Sequence, residues 1–414
     1  MARPAIGHPG AIPSSPRERT LIRLAAVVVV VALATACSSA DDATDAGDAA
    51  APATTVSPTT VPPTTVPTTT VPPTTVPPTT TTTDAAAACL DELALEVVAG
   101  QMVMPIVAPD QIDAAGRLAA DGTIGGLALL GAPTRADLAA VAALDDVGPA
   151  PLLVASDEEG GRVQRLRDVL GPLPAAGDAA ALDPDELRDR YAAYGRGLAE
   201  VGVDLAFAPV IDVGGGPGIG DRAFASDPAR VAELARIQAD GYRSAGVAVT
   251  LKHFPGHGRA TADSHLAAAV TPPIDELRAV DLVPYERLLG DPGPDLTVMV
   301  GHLTVPGLTG DLPASLSSAA ITDELRGRLG FDGLVITDSL SMRAVTDRWT
   351  VPQASVLAVA AGADIALFAE LAESADVRDA LLAAVDDGRL DGARLREAAG
   401  RVLATKGVDP CAVG

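Results

Sequence analysis

Residues 247–258 read Val247-Ala248-Val249-Thr250-Leu251-Lys252-His253-Phe254-Pro255-Gly256-His257-Gly258. A short apolar, β-branched run ends in a lysine and a histidine and then breaks at proline and glycine, the pattern of a strand that delivers charged groups at its end. The lysine is informative because the chain has only two, Lys252 and Lys406, and uses arginine elsewhere. A compact ammonium at the end of an apolar strand is costly unless something compensates it, either a ligand or a structural salt bridge. Gly256 and Gly258 permit backbone conformations closed to other residues and Pro255 stiffens the approach, so a shaped turn presenting side chains is expected.

The same arrangement recurs along the chain. Apolar, β-rich runs at 102–106, 124–130, 152–156, 205–209, 247–252, 296–300, 334–337 and 364–368 alternate with segments of helical spacing such as 185–200 and 228–244. Eight strands alternating with helices predict an α/β fold, a single (β/α)8 TIM-type barrel. An open doubly wound sheet would gather its ligand residues near one switch point. Here polar residues follow strand after strand: Asp157, Asp212, Lys252 with His253, His302 and Asp338. Histidine is scarce, and beyond His8 the chain has only His253, His257, His265 and His302, all beside expected strand ends or the loops that follow.

The first fifth of the chain has a different character. Arg3, Arg17, Arg19 and Arg23 precede an apolar run at 24–36 that ends in small residues before Cys37. This is the organisation of an export signal, and the run is shorter than the roughly 20 residues that span a bilayer. Leu33-Ala34-Thr35-Ala36-Cys37-Ser38 resembles the lipobox of bacterial lipoproteins, which implies a signal peptide over 1–36 and lipidation of Cys37. Residues 37–88 are then expected to form a disordered Ala/Thr/Pro-rich linker, because near-repeats of Thr-Thr-Val-Pro-Pro cannot offset chain entropy by burial. The resulting expectation is an extracytoplasmic protein on the outer face of a bacterial membrane, attached by lipid alone.

Of the other cysteines, Cys89 stands at the start of the expected catalytic domain, 89–414, and Cys411 near its end. In an oxidising compartment they either pair or remain two thiols. The disulfide is the expectation, since a closed barrel brings its termini together. A net charge of −24 argues against a nucleic-acid partner.

Lys252 to Gly258, followed by Asp263-Ser264-His265, resembles the signature of glycoside hydrolase family 3, in its β-N-acetylglucosaminidase branch. Four further blocks agree in order and spacing: 157–165, 207–212, 219–224 and 333–342. The resemblance implies that Asp338 is the nucleophile of a retaining mechanism and that His265, oriented by Asp263, is the general acid/base. It also implies that Asp157, Arg165, Arg222, Lys252 and His253 hold the terminal sugar. The implied activity is exo-hydrolysis of terminal β-linked N-acetylglucosamine from peptidoglycan fragments or chitin-like oligosaccharides by a monomeric enzyme.

Three alternatives stay open on sequence alone. They are a glycoside phosphorylase, for which a histidine acid/base avoids repelling phosphate, a β-glucosidase of the same family, and a catalytically silent sugar-binding lipoprotein. His253, His257, Asp263 and His265 are residue types that ligate zinc, but neither their spacing nor the resembled family supports a metal site, so no metal or organic cofactor is expected. Two departures bear on specificity. Glu158 stands where the resembled family usually has glutamine, and it either raises the pKa of Asp157 or points away. The segment 214–218 lacks the asparagines often found there, and the chain has no asparagine at all.

Overall fold

In a computed structural model, residues 81–145, 147–290 and 293–413 are described, with side chains from 85 onward. The expected signal peptide, Cys37 and most of the expected linker lie outside the described residues. One boundary changes: helix α1, Thr81–Glu92, occupies the last part of the segment expected to be linker. Its alanine run has strong intrinsic helix propensity, which the Thr/Pro repeats before it lack.

All eight expected strands form: β1 Val103–Val107, β2 Gly126–Leu129, β3 Leu153–Ser156, β4 Leu205–Ala206, β5 Ala248–Phe254, β6 Leu296–Val300, β7 Val335–Thr337 and β8 Ala366–Phe368. They pair in parallel in the spatial order β7, β6, β5, β4, β3, β2, β1, β8. Closure comes from a parallel bridge between Ile336 and Ile365, supported by the Thr337 N–H donating to the Ile365 carbonyl at 3.0 Å. Each barrel strand is the neighbour of the next in sequence, and β8 returns to β1, so the sheet is a TIM-type barrel.

Alternation along the strands builds two packed layers. Met104, Leu153, Leu205, Met299, Ile336 and Leu367 fill the barrel interior. Val103, Val154, Val249, Val298 and Val335 point outward against the helices. The two expected long helices are present as α2, Pro184–Glu200, and α3, Pro228–Arg243. Both begin with an aspartate followed by proline. Asp183 and Asp227 accept the first free backbone N–H groups, and the proline occupies a position that needs no donor.

The termini of the described domain meet on one side. Cys89 of α1 is bonded to Cys411, closing a sequence separation of 322 residues. Arg396 of the C-terminal helix α4, Gly392–Thr405, donates to the carbonyls of Leu90 and Leu93. Neither cysteine lines the cavity at the C-terminal ends of the strands. Replacing both cysteines with serine is expected to cost about 2–4 kcal/mol of stability by freeing the unfolded chain. The melting temperature should fall by several degrees with activity at 25 °C retained. An unchanged melting temperature would show that the bridge restrains nothing.

Candidate active site

The C-terminal ends of the strands open onto one cavity of about 740 Å³. Asp157, Arg165, Arg222, Lys252, His253, Asp263, His265 and Asp338, the residues singled out from sequence for catalysis and sugar binding, all line it. They divide into a fixed floor and an exposed rim.

Lys252 anchors the floor. It is 2% exposed, and its Nζ lies 2.8 Å from Asp157 Oδ1 and 2.7 Å from Glu159 Oε1. Burial alone would lower its pKa, but the two carboxylates outweigh that and hold it above its ordinary value, so the ammonium stays charged. Glu159 also takes a bidentate pair from Arg222, both N···O distances being 2.7 Å. Asp157 accepts from Arg165 at 3.0 Å. Burial would push both carboxyls up, yet the cations hold Asp157 and Glu159 below the usual range. Glu159 is almost enclosed, whereas a quarter of the Asp157 side chain remains open to the cleft and can accept from a ligand hydroxyl.

Lys252 and His253 are neighbours on one strand, yet both reach the cavity. The β5 ladder changes register against β6 between Leu251 and Phe254, which breaks the simple alternation of faces. His253 Nδ1 is 2.7 Å from Asp212 Oδ2, and its Nε2 is 3.2 Å from Arg222 Nη2. A guanidinium only donates, so Nε2 accepts and Nδ1 carries the proton toward Asp212. Asp212 Oδ1 also accepts the backbone N–H of His257 at 2.6 Å. Gly256 makes this turn possible: its φ is +127°, and a side chain there would collide with Asp281.

Asp338 follows β7 directly, its N–H donating to the Val300 carbonyl at 2.9 Å and its Oδ1 accepting from Ser339 N at 2.8 Å. Burial would raise its pKa, but His253, His302, His265 and the Ser339 N–H together hold it below the ordinary value. It is therefore an ionised carboxylate at neutral pH, facing the cavity. His302, fully buried, contacts the Ser339 carbonyl through Nε2 at 2.8 Å and Ser315 Oγ through Nδ1 at 2.7 Å. Since the carbonyl only accepts, the proton is on Nε2, and His302 fixes the chain just after Asp338.

The rim carries the other pair. His265 is 60% exposed, and its Nδ1 lies 2.8 Å from Asp263 Oδ1, which also accepts the His265 backbone N–H at 2.9 Å. Burial raises the Asp263 carboxyl, but these hydrogen bonds and the imidazole outweigh it and lower the pKa. With Nδ1 committed to Asp263, Nε2 is the atom free to exchange a proton in the cleft. The site thus combines an ionised carboxylate in a charged floor with an oriented imidazole above it. That is the equipment for nucleophilic attack with separate proton transfer.

Sequence reasoning did not single out Glu159, and it noted Asp212 and His302 only as polar residues near strand ends. Glu159 was findable from its spacing, because in an extended segment residues 157 and 159 share one face. The same alternation settles Glu158, which points away from the cleft. It is 0% exposed, its Oε1 taking Ser156 Oγ at 2.6 Å and Leu166 N at 3.2 Å, and its Oε2 taking Tyr194 OH at 2.7 Å. Burial pushes its pKa to about 7.

The sequence matches the Glycosyl hydrolase family 3 N terminal domain over residues 94–405. It is 45% identical over 273 residues to Beta-hexosaminidase LpqI of Mycobacterium tuberculosis, an alignment spanning 64% of this chain and 70% of that protein. The fold superposes on a family 3 glycosyl hydrolase from Mycobacterium smegmatis with TM-score 0.72 and 39% identity, over 76% of this chain and 98% of that one. It also superposes on a glycoside hydrolase family 3 beta-N-acetylglucosaminidase from Paenibacillus with TM-score 0.71 and 34% identity, over 76% of this chain and 62% of that one.

Glu158 generates a pH prediction. With a folded pKa of about 7 against an ordinary 4.5, the native state holds its proton longer than the unfolded chain. The stabilisation is complete below pH 4.5 and is lost as pH rises through 7. In Glu158→Gln this segment should vanish. The stability difference between variant and wild type should drift toward the variant by about 3 kcal/mol across that window and then level. Denaturant melts at several pH values check it, and a constant difference would show that Glu158 does not titrate there.

Proposed function

The chain belongs to glycoside hydrolase family 3, and from that membership and the site geometry we propose a retaining, exo-acting β-N-acetylglucosaminidase with Asp338 as nucleophile and His265 as general acid/base. It is an O-glycosyl hydrolase of the β-N-acetylhexosaminidase type. The observation that carries the mechanistic reading is that the low-pKa Asp338 and the Asp263–His265 pair line the same cavity.

In the first step Asp338 attacks the anomeric carbon while the bond to the leaving oxygen breaks. The proton for that oxygen comes from His265 Nε2. In the second step His265 takes a proton from water, the water oxygen bonds to the anomeric carbon, and the bond to Asp338 breaks. The double displacement retains configuration. Asp263 holds the ring by Nδ1, which leaves Nε2 directed to the proton transfer. Asp157, Arg165, Arg222, Lys252 and His253 hold the terminal ring, with Asp157 as the most accessible acceptor of its hydroxyls. The chemistry needs no metal or organic cofactor. The enzyme proposed here is monomeric.

The proposed substrates are peptidoglycan fragments or chitin-like oligosaccharides met on the outer face of a bacterial membrane. The arginines before the apolar run at 24–36, Cys37 with its lipobox-like flanks and the Thr/Pro-rich spacer support this location. A Cys89–Cys411 disulfide also suits an oxidising compartment. Cys37→Ser should move the protein from the membrane fraction to the medium. Continued membrane retention of that variant would remove the lipid-anchor reading.

Asp338→Ala should lower kcat/KM for an aryl β-N-acetylglucosaminide on the order of 10⁴-fold with no change in fold by circular dichroism. Near-normal turnover would refute the nucleophile assignment. The product should be free N-acetylglucosamine, released at the same rate with or without phosphate. Formation of the sugar 1-phosphate would make the enzyme a phosphorylase instead.

A further inference from the structure

The turn after β5 contains a second histidine, His257, to which the proposed chemistry assigns no role. His257 is 3% exposed, its Nε2 lies 3.0 Å from Ser264 Oγ, and its Nδ1 has no hydrogen-bond partner. An orphaned buried N–H costs more than an orphaned lone pair, so the proton belongs on Nε2 and the ring donates to Ser264. Burial is the main influence on this imidazole and lowers its pKa, which keeps it in that neutral form.

Ser264 is the residue between Asp263 and His265. It is 1% exposed on a loop whose next residue, His265, is 60% exposed. Its carbonyl accepts the Ala344 N–H at 3.4 Å, a long contact, so the 3.0 Å bond from His257 is the stronger hold. Asp263 is fitted from the other side by Gly218, whose φ is +84° and where a side chain would come within 3.1 Å of Asp263 Oδ1 and 3.3 Å of His257 Cε1. The backbone of His257 is itself tied down, because its N–H donates to the same Asp212 carboxylate that receives His253 Nδ1. A continuous path of contacts therefore runs from the sugar-facing His253 through Asp212 and His257 to Ser264.

We infer that the His257–Ser264 hydrogen bond anchors the acid/base loop, making His257 and Ser264 positioning residues for proton transfer by His265. The inference deepens the proposed mechanism and rests on His265 being the acid/base. An exposed imidazole held only by Asp263 swings with its loop, whereas proton transfer needs Nε2 within hydrogen-bond reach of the glycosidic oxygen. A buried pivot one residue away limits that arc. Displacement by about 1 Å can cost on the order of 10²-fold in rate.

The test compares wild type, His265→Ala, Ser264→Ala, His257→Phe and His257→Gln on two substrates: 2,4-dinitrophenyl β-N-acetylglucosaminide, whose leaving group needs no proton, and N,N′-diacetylchitobiose, whose leaving group does. Ser264→Ala and His257→Phe should lose about 10- to 100-fold in kcat/KM on the disaccharide and keep the activated substrate within about 3-fold. Their kcat on the activated substrate should fall and be restored by azide, which attacks the glycosyl-enzyme without needing a base and yields the β-glycosyl azide. His257→Gln keeps a donor and should recover much of the disaccharide activity. Equal losses on both substrates, absence of azide rescue, or full activity in Ser264→Ala would each overturn the anchor. His265→Ala separates the two readings. If it lacks the leaving-group signature, both fall; if it shows the signature and Ser264→Ala does not, only the anchor falls.

Discussion

A buried ammonium between two carboxylates is the constraint around which this active site is built. Lys252 is placed by β5 where it is almost wholly buried, and the cost of burying one charge is met by Asp157 and Glu159 from the segment after β3. Glu159 in turn requires Arg222, from the loop after β4, and Arg222 faces His253. Charges contributed by three successive strand ends thus fix one another. Removing any member takes a charged partner from at least one neighbour, so the floor of the cleft behaves as one rigid unit.

Asp338 exploits that unit without belonging to it. Its carboxylate forms no ion pair with the lysine or the arginines. It is kept ionised by the field of three histidines and one backbone N–H. A nucleophile bound tightly by a guanidinium would be a poor one; diffuse stabilisation keeps the carboxylate charged while leaving it free to attack. The acid/base pair is treated differently again, being held on an exposed loop where substrate can pass and water can enter. Rigidity below and access above are the division that a double displacement requires.

The consecutive acids 157 to 159 show how finely position decides chemistry. Asp157 and Glu159 face cations and have lowered pKa values, while Glu158 between them is buried among Ser156, Leu166 and Tyr194 and has a raised one. No difference in residue type accounts for this. The pleat of a short extended segment sends alternate side chains to the cleft and to the helix layer.

Much of this was legible in the sequence. Strand length, β-branched content and the breaks at glycine and proline carried the barrel, since a parallel strand covered on both faces must be a short apolar run. The scarcity of lysine and histidine, and the position of Lys252 and of His253, His257, His265 and His302 at or soon after those runs, marked the cleft. Local signals did not reveal the pairing of Glu159 with Lys252 and Arg222, the outward course of Glu158, the place of His302 behind the nucleophile, or the reach of His257 to Ser264. Each depends on the relative placement of side chains from different strands or loops, or on which way a pleat faces, and only the closed barrel sets those distances. The sequence by itself determined which chemical groups are present and at which strand ends. Tertiary structure alone decided which of them share a proton, a charge or an anchor, because those interactions act over a few ångströms between residues far apart in the chain.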